Sequence, residues 1–239
     1  MPVLREEGVR AGHRIFHRLH IWLGWAVAIP LLIWTISGIW MAARPIEEVR
    51  GDHLRSTPVP LAYAGAAQWP DTGGRTLESL VVESRPGGPV WVMSFTTGDS
   101  RRADLATGRV LPSVSREEAV LLARTAYLAT AKIAEVSRTP ADRPPLELRR
   151  PRPAWGVQFD DGTRLYVDAD TGAILALRTS QWRWFDFMWG LHILDPRMRE
   201  DTSHPVLIGA AALSLIGVIT GTALLFTRRR KRNPKRARP

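Results

Sequence analysis

Two long apolar runs near the ends of the chain dominate its pattern of hydrophobic and polar positions. Residues 21–43 and 205–227 each hold 23 consecutive residues without a formal charge. At 1.5 Å rise per residue, either run is long enough as a helix to cross a hydrocarbon core of ~30 Å. The pattern therefore predicts two transmembrane helices, which bracket a loop at residues 44–204 that is large enough to fold by itself.

Positive charge is concentrated just outside the two runs. Residues 1–20 carry four arginines against two glutamates, the tail 228–239 carries eight Lys or Arg and no acid, and the rest is neutral overall, which accounts for the net charge of +10. Cations at these places follow the positive-inside rule. We expect both ends in the cytoplasm, residues 44–204 outside it, and a bacterial inner membrane.

The same charges bear on the partners and on processing. A tail that contacts anionic membrane lipid explains the basic cluster better than nucleic-acid binding, so we expect no nucleic-acid partner. The first run is too long for the apolar part of a cleaved signal peptide, and no small-x-small site precedes Arg44, which favours an uncleaved anchor. The absence of cysteine excludes disulfides, thiolate metal sites, iron–sulfur clusters and covalent c-type haem attachment.

An internal repeat organises the loop. Residues 91–111 align without a gap on residues 155–175, at a single offset of 64, and Trp, Phe, Gly, Asp, Thr, Gly and Leu coincide. In the second copy apolar side chains alternate ahead of Asp161-Gly162, which predicts a β-hairpin, and a turn at 168–172 precedes a short strand at 174–177. Asp104 and Asp168 stand at matching places before Thr-Gly, where a carboxylate caps a turn.

A helix is predicted upstream of the second copy, over residues 115–136. Ser115 and Glu118 form the pattern of a capping box, and an apolar face recurs at Ala119, Leu122, Ala126, Ala129 and Ile133. The equivalent stretch before the first copy, residues 60–69, is shorter and predicts only a stub of helix. Residues 140–153 are rich in Pro and Arg, which predicts an exposed connector with a short strand at 146–148.

The chain after the repeat predicts an aromatic helix followed by the second span. Apolar and aromatic residues recur at helical spacing over residues 181–192, which predicts an amphipathic helix at the membrane surface, ended by Pro196. One of Asp201, Thr202 and Ser203 can cap the second span, with Pro205 in its first turn. Small residues form a stripe that allows close packing against the first span at Gly24 and Ala28, or against another copy; the stripe consists of Ala210, Ser214, Gly217 and Gly221.

Several of these segments carry the motifs of a known family. SREEAVLLARTA and WGVQFDDGTRLYVDADTGAIL resemble a PepSY domain, a helix with an acidic cap followed by strands that end in a Tyr-x-Val-Asp-x-x-Thr-Gly turn. His20-Ile-Trp-Leu-Gly and Thr35-Ile-Ser-Gly38 resemble the opening of the PepSY-associated transmembrane proteins, and Leu191-His192 resembles their second histidine motif. Larger members, similar to iron-regulated membrane proteins and siderophore-linked ferric reductases, have four or more spans, whereas this chain has two.

The resemblance implies an α+β membrane protein in which two transmembrane helices flank an extracytoplasmic tandem of PepSY-like helix-plus-antiparallel-sheet units. The corresponding segments are a degenerate PepSY-like repeat, a PepSY-like domain, and an interfacial aromatic helix and turn, at residues 44–112, 113–180 and 181–204. It also implies haem b held by membrane histidines, and electron transfer across the bilayer in iron or other metal handling.

The histidines near the two membrane surfaces are the candidate haem ligands. His13, His17 and His20 share one helix face on the cytoplasmic side, and His192 and His204 belong to the other side. His20 and His192 lie about one bilayer apart and cannot share one iron, and His17 and His20 cannot sandwich one ring from the same helix. A haem therefore requires a second chain, such as the other copy in a parallel homodimer.

Three functions remain open from the sequence. The first is an extracytoplasmic binding or sensing module coupled to haem-dependent electron transfer, as a haem-linked reductase component. The second is a cofactor-free accessory or inhibitory protein whose PepSY-like loop binds a partner such as a protease through exposed strand edges. The third is a structural subunit of a larger membrane complex. No hydrolytic motif, catalytic constellation or metal site is found in the sequence.

Overall fold

The computed structural model describes residues 2–57, 60, 61 and 63–231. The chain divides into a helical unit, Met1–Ala43 with Phe185–Pro239, and a loop unit, Arg44–Trp184. A short 3-10 helix at Asp52–Leu54 follows α2. The other elements in chain order are α1 (Pro2–Ala42), α2 (Ile46–Arg50), β1 (Leu77–Glu83), β2 (Val90–Phe95), β3 (Ser100–Asp104), α3 (Arg116–Ala126), β4 (Ile133–Thr139), β5 (Ala154–Phe159), β6 (Arg164–Asp168), β7 (Ile174–Arg178), α4 (Ser180–His192) and α5 (Pro205–Lys231).

The two predicted spans are the long helices α1 and α5. Their apolar segments, Ile15–Ala42 and Pro205–Phe226, are long enough to cross a membrane. In the most apolar 18-residue stretch of each segment, only 6% and 11% of the residues, respectively, are buried. The core helix of a soluble protein is mostly buried, whereas these helices expose large apolar side chains such as Trp22 and Trp25. The side chain of His13 and tail residues 232–239 lie outside the described part of the structure.

The small-residue stripe of α5 packs against α1 within the chain. A Cβ added at Gly217 would meet Leu23 and Val27, and one added at Gly221 would meet the ring of His20. Ser214 is buried on the same face. Within the described residues, a Cβ added at Gly24 would meet no atom of another helix within 4 Å. The expected small-on-small contact at Gly24 is therefore replaced by larger α1 side chains that pack against glycines of α5.

Helix α4 and the turn after it are fixed by a buried ion pair. Arg199 Nη1 donates to Asp186 Oδ2 over 2.8 Å, and Asp186 is only 5% exposed. Gly190 lets the arginine cross α4, because a Cβ there would come within 2.7 Å of Arg199 Cγ. The helix ends at His192, before Pro196, and Leu194 then takes a left-handed φ of 56°.

Helix α5 begins at Pro205, as its sequence predicts, but with a different cap. Its N-cap group is His204, because Leu207 N–H points to His204 Nδ1 at 3.4 Å. Asp201, one of the three expected caps, instead accepts the N–H of Ser203 over 2.7 Å in a local turn. An imidazole therefore takes the place of the short oxygen side chain expected there.

The repeat is visible as two antiparallel sheets, with strand orders β1-β2-β3 and β4-β5-β6-β7. Strands β2 and β3 pair in the same register as β5 and β6, with Trp91 opposite Ala103 and Trp155 opposite Val167. Strands β1 and β4 share an irregular register at their first residues, opposite Phe95 and Phe159. The copies therefore extend upstream of the aligned segment, by one strand that sequence alignment does not detect.

The turns of the two copies are also the same. The hairpin turns contain Gly98 at φ 86° and Gly162 at φ 80°, a region that L side chains rarely adopt. In the next turn Asp104 Oδ1 accepts Thr107 N–H over 2.8 Å, and Asp168 Oδ1 accepts Thr171 N–H over 2.9 Å. These bonds confirm that both carboxylates cap turns.

One turn carboxylate has a second role. Asp168 is 1% exposed, and its Oδ2 lies 2.6 Å from Arg152 Nε in an ion pair. Asp104 is more exposed and is bonded by its own turn, where the Thr107 hydroxyl is the main cause that lowers the pKa of its carboxyl. The second copy has thus gained a buried charge pair on a shared scaffold.

The main core lies between α3 and the second sheet. Its sheet side contains Val157, Phe159, Leu165, Val167 and Leu177, and its helix side contains Ala119, Leu122, Ala123 and Tyr127. Burying each of the large apolar side chains contributes on the order of 1.5–3 kcal/mol. The first sheet has only a small cluster of Met93, Phe95 and Ala103.

Helix α3 is capped at its predicted start but ends ten residues early. Ser115 Oγ accepts Glu118 N–H over 3.2 Å, while the Glu118 carboxylate bonds to Arg102 Nη2 at 2.7 Å instead of closing the capping box. Tyr127 is extended, at φ −104° and ψ 116°, and β4 starts at Ile133. The expected helix over 127–136 was wrong, because Tyr127 forms a β-bridge with Arg55 and Ile133–Thr139 pair with β5 as a strand.

Two weaker local predictions also fail. Residues 60, 61 and 63–69 contain no helix. Leu146–Leu148 form a turn, with Leu148 N–H bonded to Pro145 O over 2.9 Å, and no strand. Leu148 is 1% exposed, so this part of the connector is packed on the domain.

Glu147 holds that connector in place. Its carboxylate accepts from Arg164 Nη1 at 2.6 Å, Arg183 Nε at 3.0 Å and the Tyr166 hydroxyl at 2.8 Å. Tyr166 is buried, and burial is the main cause that raises the pKa of its hydroxyl to about 12. A chain segment with five prolines thus becomes ordered through one carboxylate.

The two matching aspartates provide a test of the added ion pair. We expect Asp168→Asn to lower the free energy of unfolding by about 2–3 kcal/mol, because Arg152 loses its buried partner while remaining partly in water. Asp104→Asn, the matched control in the first copy, should cost about 1 kcal/mol or less. Urea unfolding of the full chain in micelles, followed by near-UV circular dichroism, measures both, and equal losses would contradict the assignment.

Tyr166 provides a pH test. Its pKa is raised in the folded state, so the stabilisation from a neutral hydroxyl is complete below the ordinary pKa of ~10 and is lost as the pH rises through about 12. In an absorbance titration at 295 nm, we expect one tyrosine of the native protein to ionise near pH 12 and this step to be missing in Tyr166→Phe. An unchanged titration curve would show that another tyrosine is responsible.

Candidate functional site

The four candidate histidines all belong to the helical unit, and all are partly buried. His17 and His20 lie on α1, His192 is the last residue of α4, and His204 directly precedes α5. Two of them, His20 and His192, contact a neighbouring helix through a hydroxyl-bearing residue.

His20 packs against a Thr-Gly pair on α5. Its Nδ1 lies 2.9 Å from Thr220 Oγ1. The threonine hydroxyl also lies 2.8 Å from Ile216 O and 3.0 Å from Gly217 O in the preceding turn. Because a hydroxyl has one proton and that proton is directed to a carbonyl, Thr220 accepts the hydrogen bond from His20.

His192 packs against a Ser-Gly pair on α1 in the same manner. Its Nδ1 lies 3.0 Å from Ser37 Oγ, and that hydroxyl donates to Ile33 O over 2.6 Å. Ser37 is 1% exposed. The His192 ring also stacks on Trp189, with centroids 6.5 Å apart.

These bonds fit the tautomer of each ring that carries its proton on Nδ1. Both hydroxyls accept from histidine, so the neutral imidazoles carry their proton on Nδ1 and the lone pair on Nε2. Within the described residues, no group bonds to Nε2 of either ring. An Nδ1 proton held by a second residue and a free Nε2 are what a metal-binding histidine requires.

A glycine stands beside each hydroxyl, and at Gly221 it makes room for the ring. A Cβ added at Gly221 would approach His20 Cε1 to 2.9 Å, closer than real Cβ contacts. One added at Gly38 would approach His192 Cε1 to 3.4 Å. The pairs Thr220-Gly221 and Ser37-Gly38 therefore form two similar ring-holding sites, one on each long helix.

The two sites are far apart along α1. Gly38 lies 18 residues after His20, which is about 27 Å at the rise of an α-helix. This agrees with the expectation that His20 and His192 cannot ligate one metal ion. Within the described residues, no group of three or more His, Asp and Glu side chains is placed to hold a metal ion.

The other two histidines differ from this pattern. His204 Nε2 lies 2.8 Å from Ile193 O and its Nδ1 faces Leu207 N–H, so both ring nitrogens take part in the turn before α5. His17 lies one turn before His20, and no hydrogen bond of its ring is found within the described residues. The ring-holding arrangement thus singles out His20 and His192.

Thr220 is the site residue that the sequence reasoning missed. Ser37-Gly38 belongs to a motif of the resembled family, whereas the sequence marks Gly221 only as a small residue of the helix-packing stripe. The available signal was the repetition of a hydroxyl residue directly before glycine on both spans. What the sequence lacks is the pairing, since the hydroxyls lie 200 residues from His20 and 155 residues from His192.

One comparison with known proteins identifies a family for this chain. No curated protein and no solved structure matches the chain. The model of the PepSY-associated TM region matches residues 17–239, which include both long helices, both sheets and all four candidate histidines. The chain therefore belongs to the PepSY-associated transmembrane family, as its motifs indicate.

Proposed function

We propose that this membrane protein is a haem-b-dependent electron-transfer component whose PepSY-like loop binds or senses a ligand outside the cytoplasm. The single observation that carries the proposal is the pair of histidines whose Nδ1 protons are held by hydroxyls and whose Nε2 atoms are free. A bound haem b supplies a one-electron carrier at each site.

The residues of the chain have distinct tasks in this proposal. His20 and His192 are the residues that would hold the haem, through Nε2. Thr220 and Ser37 are positioning residues, because they fix the rings and increase the basicity of the imidazoles by accepting their Nδ1 protons. Gly221 leaves the space that the His20 ring occupies, and Gly38 lies beside the His192 ring.

A second copy of the chain completes each site. One chain offers one prepared histidine at each level, and a six-coordinate haem iron with two imidazole ligands needs two. The exposed apolar surface of α1 and α5 leaves area for another copy as well as for lipid. In a parallel homodimer, both His20 rings lie on one side of the membrane and both His192 rings on the other.

The proposed direction follows from the flanking charge. With residues 1–20 and the basic tail in the cytoplasm of a bacterial inner membrane, the His20 level is the electron entrance and the His192 level is the exit. In this topology residues 44–204 lie outside the cytoplasm, where an iron compound or another metal compound is the proposed acceptor. A cofactor-free accessory protein remains the alternative function.

A spectrum of the purified protein tests the cofactor. From cells with ample haem we expect a Soret band, which His20→Ala and His192→Ala each reduce by about half and the double variant removes. His53→Ala is the matched control, since His53 is exposed and belongs to the loop unit. A full-length, folded protein without a Soret band would refute the haem proposal and favour the accessory function.

The hydroxyls provide a test of the ring geometry. Thr220→Val keeps the shape of the side chain and removes the acceptor for His20 Nδ1. Because the imidazole then donates less charge, we expect the Soret band to stay and the midpoint potential of one haem to rise. Thr35→Val is the control, since Thr35 bonds only to its own helix, at Leu31 O. An unchanged potential in Thr220→Val would contradict the positioning role.

A further inference from the structure

The loop unit contains a large cavity of mixed character. Its volume is about 820 Å³, which lies in the range of small-molecule sites. It is bounded by Arg55, by the residues after β1, by one side of α3 and by the start of β7. The apolar part of the wall includes Leu122, Ala126, Leu165 and Ile174.

Arg55 is the unusual residue of this wall. Its Nε is buried and has no hydrogen-bond partner. Within the described residues, its guanidinium forms no hydrogen bond or ion pair. Buried polar atoms are normally paired, and arginine offers five donors in a fixed plane.

The backbone holds Arg55 firmly at the cavity. Arg55 forms a β-bridge with Tyr127, and the N–H of Ser56 donates to Ala126 O over 3.0 Å. Other arginines of the same unit have partners, as Arg102 has in Glu118 and Arg164 has in Glu147. Four arginines have a buried Nε without a hydrogen bond, and Arg55 is the one of these whose guanidinium forms no other hydrogen bond, ion pair or ring contact within the described residues.

Arg85 adds a second, partly used guanidinium on the side of the first copy. It bonds to Glu83 through Nη2, while its own Nε is buried without a partner. Asp52 and Glu83 also line the cavity, so the two cations are balanced by two carboxylates. Such a balance disfavours a ligand with several negative charges and suits one with a single charge.

We propose that this cavity binds a monocarboxylate with an apolar body. The carboxylate takes the two-pronged hydrogen bonds of the Arg55 guanidinium, and the body lies on the apolar wall. Two sources share this chemistry, a free fatty acid and the C-terminal residue of a short peptide. The inference does not depend on haem, because every residue involved belongs to the loop unit.

Calorimetry on the full chain in lipid nanodiscs tests the site with defined probes. Octanoate and the tripeptide Ala-Ala-Leu are the two acids, octanol and the amidated tripeptide are the uncharged controls, and empty nanodiscs give the blank. We expect one acid to bind at one per chain and its uncharged control to bind at least about tenfold more weakly. The acid that binds identifies the source.

Variants connect the binding to Arg55. Arg55→Gln should weaken the acid at least about tenfold, whereas Arg143→Gln, which removes a charge from an exposed arginine beside Asp142, should not. Thr125→Trp, at an exposed position of the wall, should block the cavity without disturbing the core. Because Arg55 has no partner, Arg55→Gln should unfold at the temperature of the native protein.

Four results would overturn the proposal. They are no binding of either acid, equal binding of an acid and its uncharged control, unchanged binding in Arg55→Gln, and a marked loss of thermal stability in Arg55→Gln, which would give Arg55 a structural role. If the protein binds the carboxylate but shows no Soret band, the haem proposal is refuted and the carboxylate site is not. The two proposals therefore fail separately.

Discussion

The close contact of α1 with α5 is the constraint on which the helical unit depends. Helices in a membrane gain little from hydrophobic association, so they rely on close packing and on hydrogen bonds between side chains. Here one stripe supplies both, because Gly217 admits Leu23 and Val27 while Thr220 and Gly221 receive His20. Large side chains in this stripe would therefore separate the two helices and, at the same time, displace His20.

The elements that the sequence predicts well are those with a strong local pattern. The two spans, the hairpins of both copies and the start of α3 follow from long apolar runs, alternation, Asp-Gly or Thr-Gly turns and Ser115. The end of α3 does not, because residues 127–136 keep a helical apolar pattern while Ile133–Thr139 pair with β5. A tertiary contact between distant strands overrides a local preference there.

The candidate site is also only partly predictable from the sequence. Histidines at membrane surfaces are visible in a sequence, but the groups that orient them are ordinary hydroxyls far away in the chain, and nothing local marks Thr220 as the acceptor for His20. The same is true of the cavity. Arg55 looks like any loop arginine until the structure shows that its Nε is buried and has no hydrogen-bond partner within the described residues.

The unequal connectors of the two copies suggest how a duplicated unit acquires two tasks. The link between β4 and β5 spans residues 140–153 and is locked by Glu147, whereas the link between β1 and β2 is the short segment 84–89, whose Arg85 faces the cavity. The second copy has additional stabilising elements, namely a fourth strand, a helix and a buried charge pair. Because the second copy carries these elements, the sequence of the first copy is less constrained. We therefore expect differences in ligand specificity among relatives of this protein to arise in the shorter link.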